Sequence, residues 1–256
     1  MSDALLCVAD LHHWFGGLHV INGVGFSCRP GVVEAVIGPN GAGKTTLFNL
    51  VAGSLSPASG SITFDGKRIE GTPPHRIAGL GVARTFQASR LFPRMTVLEN
   101  VMVGRHLRRR GGFFPDMAGR ILNGREEDGM RAASMDILEA LGIAGLAEKQ
   151  AKDLPFGRQR VVELARALAA EPKLLLLDEP ACGLNPAETE EMAARIEGIR
   201  DQGITILVVE HDMSLVMGIS DHVVVLSYGR VIAEGTPREI QGNDEVVTVY
   251  LGAADA

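Results

Sequence analysis

Long apolar runs are missing from this sequence: none reaches the roughly 18 residues of a membrane-crossing helix. The chain is therefore expected not to span a membrane by itself. Its start, "MSDALLCVAD", has neither a basic opening nor a long apolar core, so no signal peptide is expected. Cysteine is scarce. Cys7, Cys28 and Cys182 lie far apart and form no CxxC pair. That excludes a visible zinc site or disulfide framework and fits a reducing compartment. A surplus of positive charge is also missing. The formal net charge is −6, and nothing in the overall balance points to nucleic acid as a partner. Internal repeats and low-complexity segments are absent.

What is present is ordinary globular material. The 256 residues are 46% apolar and 22% charged, enough for one large domain or two small ones. Short apolar runs alternate with amphipathic stretches. "VVEAVIG", "KLLLLDE", "ITILVVEHD" and "HVVVLSYG" read as strands buried on both faces. Helix signals lie between the last three. In "NPAETEEMAARIEGIRDQG", Asn185 suits the cap, Pro186 the first helical position, Glu188 a capping box and Gly203 the end. This alternation predicts an α/β fold with a mostly parallel sheet core. The first 75 residues differ. "NGVGFSC" alternates, and "GSITFDGKRI" reads as strands joined by a tight turn, so an N-terminal antiparallel β-layer is expected. Residues 88–155 read as mostly helical. We expect one domain over 1–256 containing a helical subdomain at about 88–165.

"GPNGAGKTT" fits the phosphate-loop pattern G-x-x-x-x-G-K-[ST]. It comprises Gly38, Pro39, Asn40, Gly41, Ala42, Gly43, Lys44, Thr45 and Thr46. A strand precedes it and a helix follows, which is the context that separates a phosphate loop from a chance Gly-rich turn. Glycines let backbone N–H groups curl around phosphate oxygens, and the helix start adds positive potential. Lys44 is expected to reach the β- and γ-phosphates, and Thr45 to place its hydroxyl on Mg²⁺. Downstream, "LLLLDE" ends a buried strand with Asp178, suited to Mg²⁺, and Glu179, suited to a base or water-positioner. Alone, these two acids could be a solvated turn before Pro180.

"LPFGRQ" precedes a helix whose Val161, Leu164, Ala165 and Leu168 make one apolar stripe. No Ser, Thr, Asp or Asn caps it. Pro155, Phe156, Gly157 and Arg158 stand there instead, which raises the question of an anion-holding surface. Between Gly104 and Arg125, six arginines face a single acid, Asp116. The segment reads either as a solvated loop or as a contact for a membrane partner or anionic lipid.

Together these residues resemble the nucleotide-binding subunits of ATP-binding cassette (ABC) transporters, over nearly the whole chain. Gly38 to Thr46 match the phosphate loop, Gln87 in "RTFQ" the glutamine loop, and "LPFGRQ" the signature motif. Asp178 and Glu179 match the second carboxylate motif, "GLNP" the loop after it, and His211 in "VVEHD" the switch histidine. Phe15 sits where the family has its adenine-stacking aromatic, although an aromatic at a strand end is often only core. Phrases such as "GVARTFQASRLFPRMTVLENV" and "IAEGTPREI" are closer to the ATPase subunits of branched-chain amino acid importers. Cassettes for urea, amides or lipopolysaccharide export look similar.

The resemblance implies MgATP as substrate, with Thr45, Gln87 and Asp178 near the metal and Glu179, Gln87 and His211 near the reacting phosphate. It implies a head-to-tail dimer with a sister chain or a second copy, in which the signature lies across ATP from the other phosphate loop. In that arrangement an exposed Gly157 would allow close backbone approach to the γ-phosphate. The usual signature is L-S-G-G-Q; Pro155 removes its hydroxyl, Phe156 replaces a glycine and Arg158 its glutamine. Further implications are integral membrane permease subunits, a substrate-binding protein acting indirectly, and a peripheral position at the cytoplasmic face of the cell membrane. A phosphate-loop kinase with an arginine-rich lid is the rival from the residues alone. It leaves "LPFGRQ", "GLNP" and the histidine unexplained. A soluble ABC ATPase without a transporter would be expected to carry two cassettes or a long coiled coil.

Overall fold

The central sheet exists because its strands are apolar on both sides. In the computed structural model, which describes residues 4–85, 91–105 and 119–252, Val33–Ile37 (β3), Leu174–Asp178 (β7), Thr205–Val209 (β8) and His222–Ser227 (β9) are buried almost throughout. Side chains alternate between the faces. Leu175, Leu177, Ile206 and Val208 join one core; Leu174, Leu176, Leu207 and Val209 join the other. Burying each such side chain contributes about 1.5–3 kcal/mol.

With Val82–Arg84 (β6) and Arg230–Gly235 (β10), these strands form a sheet in the order β10-β9-β3-β8-β7-β6. Its pairs are parallel except β10 with β9. A second sheet, in the order β2-β1-β4-β5, is antiparallel and covers one face. It contains Leu6–Phe15 (β1), Leu18–Cys28 (β2), Ser59–Phe64 (β4) and Lys67–Arg68 (β5). The expected tight turn is Asp65-Gly66, both at positive φ, the pair a two-residue hairpin favours. Lys44–Val51 (α1) packs between the sheets through Leu47, Phe48, Leu50 and Val51. Pro74–Leu80 (α2) leads into β6.

Helices cover the opposite face: Val97–Gly104 (α3), Gly119–Ala140 (α4), Phe156–Leu168 (α5) and Pro186–Asp201 (α6). The cap of α6 is the expected one. Asn185 accepts from Glu188 N at 3.0 Å, and the Glu188 carboxylate accepts from Asn185 N at 3.1 Å. On α5, Val161, Leu164 and Ala165 are buried and Leu168 packs partly buried against the same core. The chain closes with Met213–Ile219 (α7), Pro237–Gln241 (α8) and Asp244–Gly252 (α9). Among the described residues, no helix is long and apolar enough to cross a membrane.

Candidate functional site

Strand register brings three distant loops to one level. Val36 pairs with Val209, and Val209 pairs with Asp178. One row across β3, β8 and β7 therefore precedes the phosphate loop, the Glu210–His211 turn and Glu179. A crevice at the carboxyl ends of parallel strands is where open α/β folds hold ligands.

The phosphate loop owes its shape to glycine at two contacts. Gly38 (φ +150°) lies against the Leu226 carbonyl, and a Cβ would collide with it. At Gly43 (φ +102°), a Cβ would stand 2.8 Å from the Val20 carbonyl. Pro39, Asn40 and Gly41 form the outer rim, whereas Ala42 turns its side chain into the core, so Ala42 serves the loop through its backbone. Helix α1 starts at Lys44 with no side-chain cap and no acid in its first turn. Its free amides and dipole are thus available to an anion. Lys44 Nζ donates to Gly38 O at 2.6 Å and Pro39 O at 3.0 Å, which keeps the cation inside the loop. Burial lowers the Lys44 pKa from its ordinary value, while the Glu179 carboxylate opposes that shift. Thr45 is exposed at the helix start and Thr46 half-buried beside it.

Asp178 is buried and ion-paired with Arg84 at 2.8 Å. Next to it Glu179 takes a left-handed backbone conformation, φ +49°, and donates its N–H to Val209 O at 2.9 Å. His211 Nδ1 lies 4.0 Å from Glu179 Oε1 and 3.6 Å from Glu210 Oε2. Asp212 caps α7 by accepting from Leu215 N at 3.1 Å, so a helix start and a histidine in the crevice coexist here.

Phe15 and Trp14 are both exposed at the end of β1, on opposite faces. Phe15 shares the face of His13, whose ring packs edge-on at 4.8 Å and bonds to Ser56 O just beyond α1. His13 is paired with Ile21, which contacts the phosphate loop at Gly43. Trp14 instead stacks on His19 at 4.0 Å.

The start of α5 departs from the sequence expectation. Gly157 is buried rather than exposed: its Cα lies against the Glu188 carboxylate of the α6 capping box. Phe156 is exposed, lies beside Gly183 and stands 5.0 Å from the Arg160 guanidinium. Arg158 pairs with Glu191 of α6 at 3.4 Å, a surface contact within the chain. Pro155 takes the cap position without a side-chain hydrogen bond. Gln87 lies outside the described residues. Of the six arginines between 104 and 125, Arg105 pairs with Glu171 at 2.8 Å; the other five fall outside the described side chains.

Two residues carry weight here that the sequence does not single out, Arg84 and Glu210, and Glu188, expected only as a cap, also abuts Gly157. The signal for Glu210 was present, because an acid directly after a buried strand repeats the pattern of Asp178 and Glu179.

The fold and this crevice define a nucleotide-binding cassette. The chain belongs to the ABC transporter family, whose model matches residues 21–182, and is one of its ATP-hydrolysing cassettes. Residues 230–256 match a second model, described as branched-chain amino acid ATP-binding cassette transporter. The high-affinity branched-chain amino acid transport ATP-binding protein LivG of Salmonella typhimurium is 44% identical over 99% of this chain and 100% of its own length. BraF of Pseudomonas aeruginosa, with the same description, is 43% identical over the same shares. Among solved structures, the ADP conformation of MJ1267, an ATP-binding cassette of an ABC transporter, superposes with a TM-score of 0.86 at 30% identity. That match covers 98% of this chain and 100% of the other.

Proposed function

We propose that this cassette drives import of branched-chain amino acids as a peripheral subunit at the cytoplasmic face of the cell membrane. It would work with a second ATPase subunit and integral membrane permeases, and indirectly with a substrate-binding protein. The observation that carries the chemical part is the single row Val36–Val209–Asp178, which aligns the phosphate loop, Glu179 and His211. The substrate part is supported by the likeness to LivG and BraF along the full chain.

The donor set fits Mg²⁺, a hard cation that takes oxygen ligands and few protein groups. The Asp178 carboxylate and the exposed Thr45 hydroxyl would hold it, with Gln87 as the third candidate ligand. When bound, Mg²⁺ would offset the negative charge of the phosphates. Lys44 and the α1 amides orient the β- and γ-phosphates. Glu179 positions the attacking water and takes its proton, and His211 holds the γ-phosphate. Phe15 stacks on adenine. Pro155, Phe156, Gly157 and Arg158 face the ATP of the opposing cassette, so ATP closes a head-to-tail dimer.

The test is co-purification with the permease subunits, reconstitution, and transport of leucine against urea. ATP-dependent leucine uptake that disappears in Lys44→Ala is the expected result. Uptake of urea alone would overturn the substrate assignment, and normal hydrolysis by Lys44→Ala would overturn the site.

A further inference from the structure

We propose that Glu210 is a positioning residue that sets the switch histidine and the loop after Glu179 in one register. The proposal rests on the reading in which Glu179 and His211 face the γ-phosphate.

The Glu210 side chain is 1% exposed. Its oxygens serve two loops 29 positions apart in the chain, with the whole of α6 between them. Oε1 accepts from Ala181 N at 2.9 Å, two residues after Glu179. Oε2 accepts from His211 N at 2.8 Å and Asp212 N at 3.2 Å. Three backbone amides thus converge on one carboxylate. Charged acceptors make the stronger class of hydrogen bond, and burial raises the cost of leaving any of these amides unmet.

Both neighbours of this carboxylate need holding. Glu179 sits at φ +49°, a left-handed conformation that costs a non-glycine residue about 1–3 kcal/mol and persists only where surrounding contacts over-determine it. Val209 O takes the Glu179 amide at 2.9 Å, and Glu210 takes the Ala181 amide two residues on. The strained residue is thus tied on both sides to the end of β8. On the other loop, Glu210 fixes the backbone at His211 itself, and Asp212 carries the constraint into α7. Moving either loop alone breaks a bond to the same side chain. Glutamate is the residue this requires. Glutamine offers one carbonyl oxygen, and its amide would face an N–H. Aspartate is one methylene too short to reach both loops.

A residue that only supported the fold would change stability and leave turnover untouched. In the full-length protein, Glu210→Gln should lower kcat by about 10²-fold, the scale of a misplaced catalytic group. The KM for ATP should stay within about twofold, because the phosphate loop is unaltered. His211→Ala should also be slow, and the double variant should be slowed by less than the product of the two single effects, since part of the Glu210 effect passes through the histidine and part through the loop after Glu179. A slow His211→Ala with a normal Glu210→Gln would overturn the proposal while leaving the site reading intact. A normal His211→Ala would overturn that reading and this proposal with it. If Glu210→Gln does not fold, hydrogen exchange in the unaltered protein decides. The amides of Ala181, His211 and Asp212 should open as one unit, with protection agreeing within about tenfold. Separate opening of Ala181 would overturn the proposal.

Discussion

The Arg84 guanidinium meets the Asp178 carboxylate at 2.8 Å with both side chains almost wholly out of water, 10% and 6% exposed. Its second terminal nitrogen donates to Asn49 Oδ1 at 2.7 Å, and its Cζ lies 5.8 Å from the centroid of the Phe48 ring. One arginine therefore ties β6 to β7 and to the helix behind the phosphate loop. Arg84→Ala should leave a buried carboxylate without this partner and cost about 3–5 kcal/mol in denaturant unfolding. Added MgATP should recover part of that loss if Asp178 faces the metal. Arg84→Lys should recover less than charge alone suggests, because an ammonium lacks the planar fork that reaches two acceptors. An unchanged unfolding midpoint for Arg84→Ala would show that the pair is not a structural tie.

Glu179→Gln keeps the size of the side chain and removes the proposed base. It should bind MgATP, hydrolyse it about 10²–10³ times more slowly, and accumulate as an ATP-held dimer. Size-exclusion chromatography with and without MgATP reads the second effect. A monomer peak that MgATP does not move would count against the assignment.

The sequence made the central sheet and the phosphate loop legible, and the reason is local. Strands such as β7 and β8 are apolar without interruption, and Asn185, Pro186 and Glu188 announce α6 within four positions. β1 was harder: "LCVADLHHWF" carries exposed and half-buried polar residues, and its register shifts against β2 blur the alternation. Glu188 shows what no local pattern can reveal. The sequence marks it as a capping residue, which it is, yet its carboxylate also fills the space beside Gly157 on another helix. Arg84 and Glu210 act across β6, β7 and β8, so their roles appear only when the strand order is known.

The opposite orientations of Phe15 and Trp14 give a direct comparison. Phe15→Ala should weaken ATP binding by about 1–3 kcal/mol, the usual worth of base–aromatic stacking. Trp14→Ala should leave it nearly unchanged, since the Trp14 ring is already engaged in stacking on His19. Titration with a fluorescent ATP analogue measures both. The reverse ranking would put the base on Trp14.

Gly157 has two possible reasons to be glycine, and they can be separated. The first is within the chain: a Cβ would run into the Glu188 carboxylate, so Gly157→Ala should destabilise the isolated protein. That loss should appear although alanine favours a helix over glycine by about 1 kcal/mol. The second is across the proposed dimer, where the glycine backbone must come close to the opposing γ-phosphate. Glu188→Ala removes the clashing group and part of the α6 cap, itself worth about 1 kcal/mol. In the double variant, alanine at 157 should then cost less stability than it does beside Glu188. If the proposed dimer contact also requires bare backbone at this position, hydrolysis should nevertheless stay low. Thermal unfolding without nucleotide reads the first effect, and ATPase activity relative to Glu188→Ala reads the second. Recovery of both stability and activity would mean that Gly157 serves only its own chain. Unchanged stability in Gly157→Ala would mean that the contact with Glu188 yields readily.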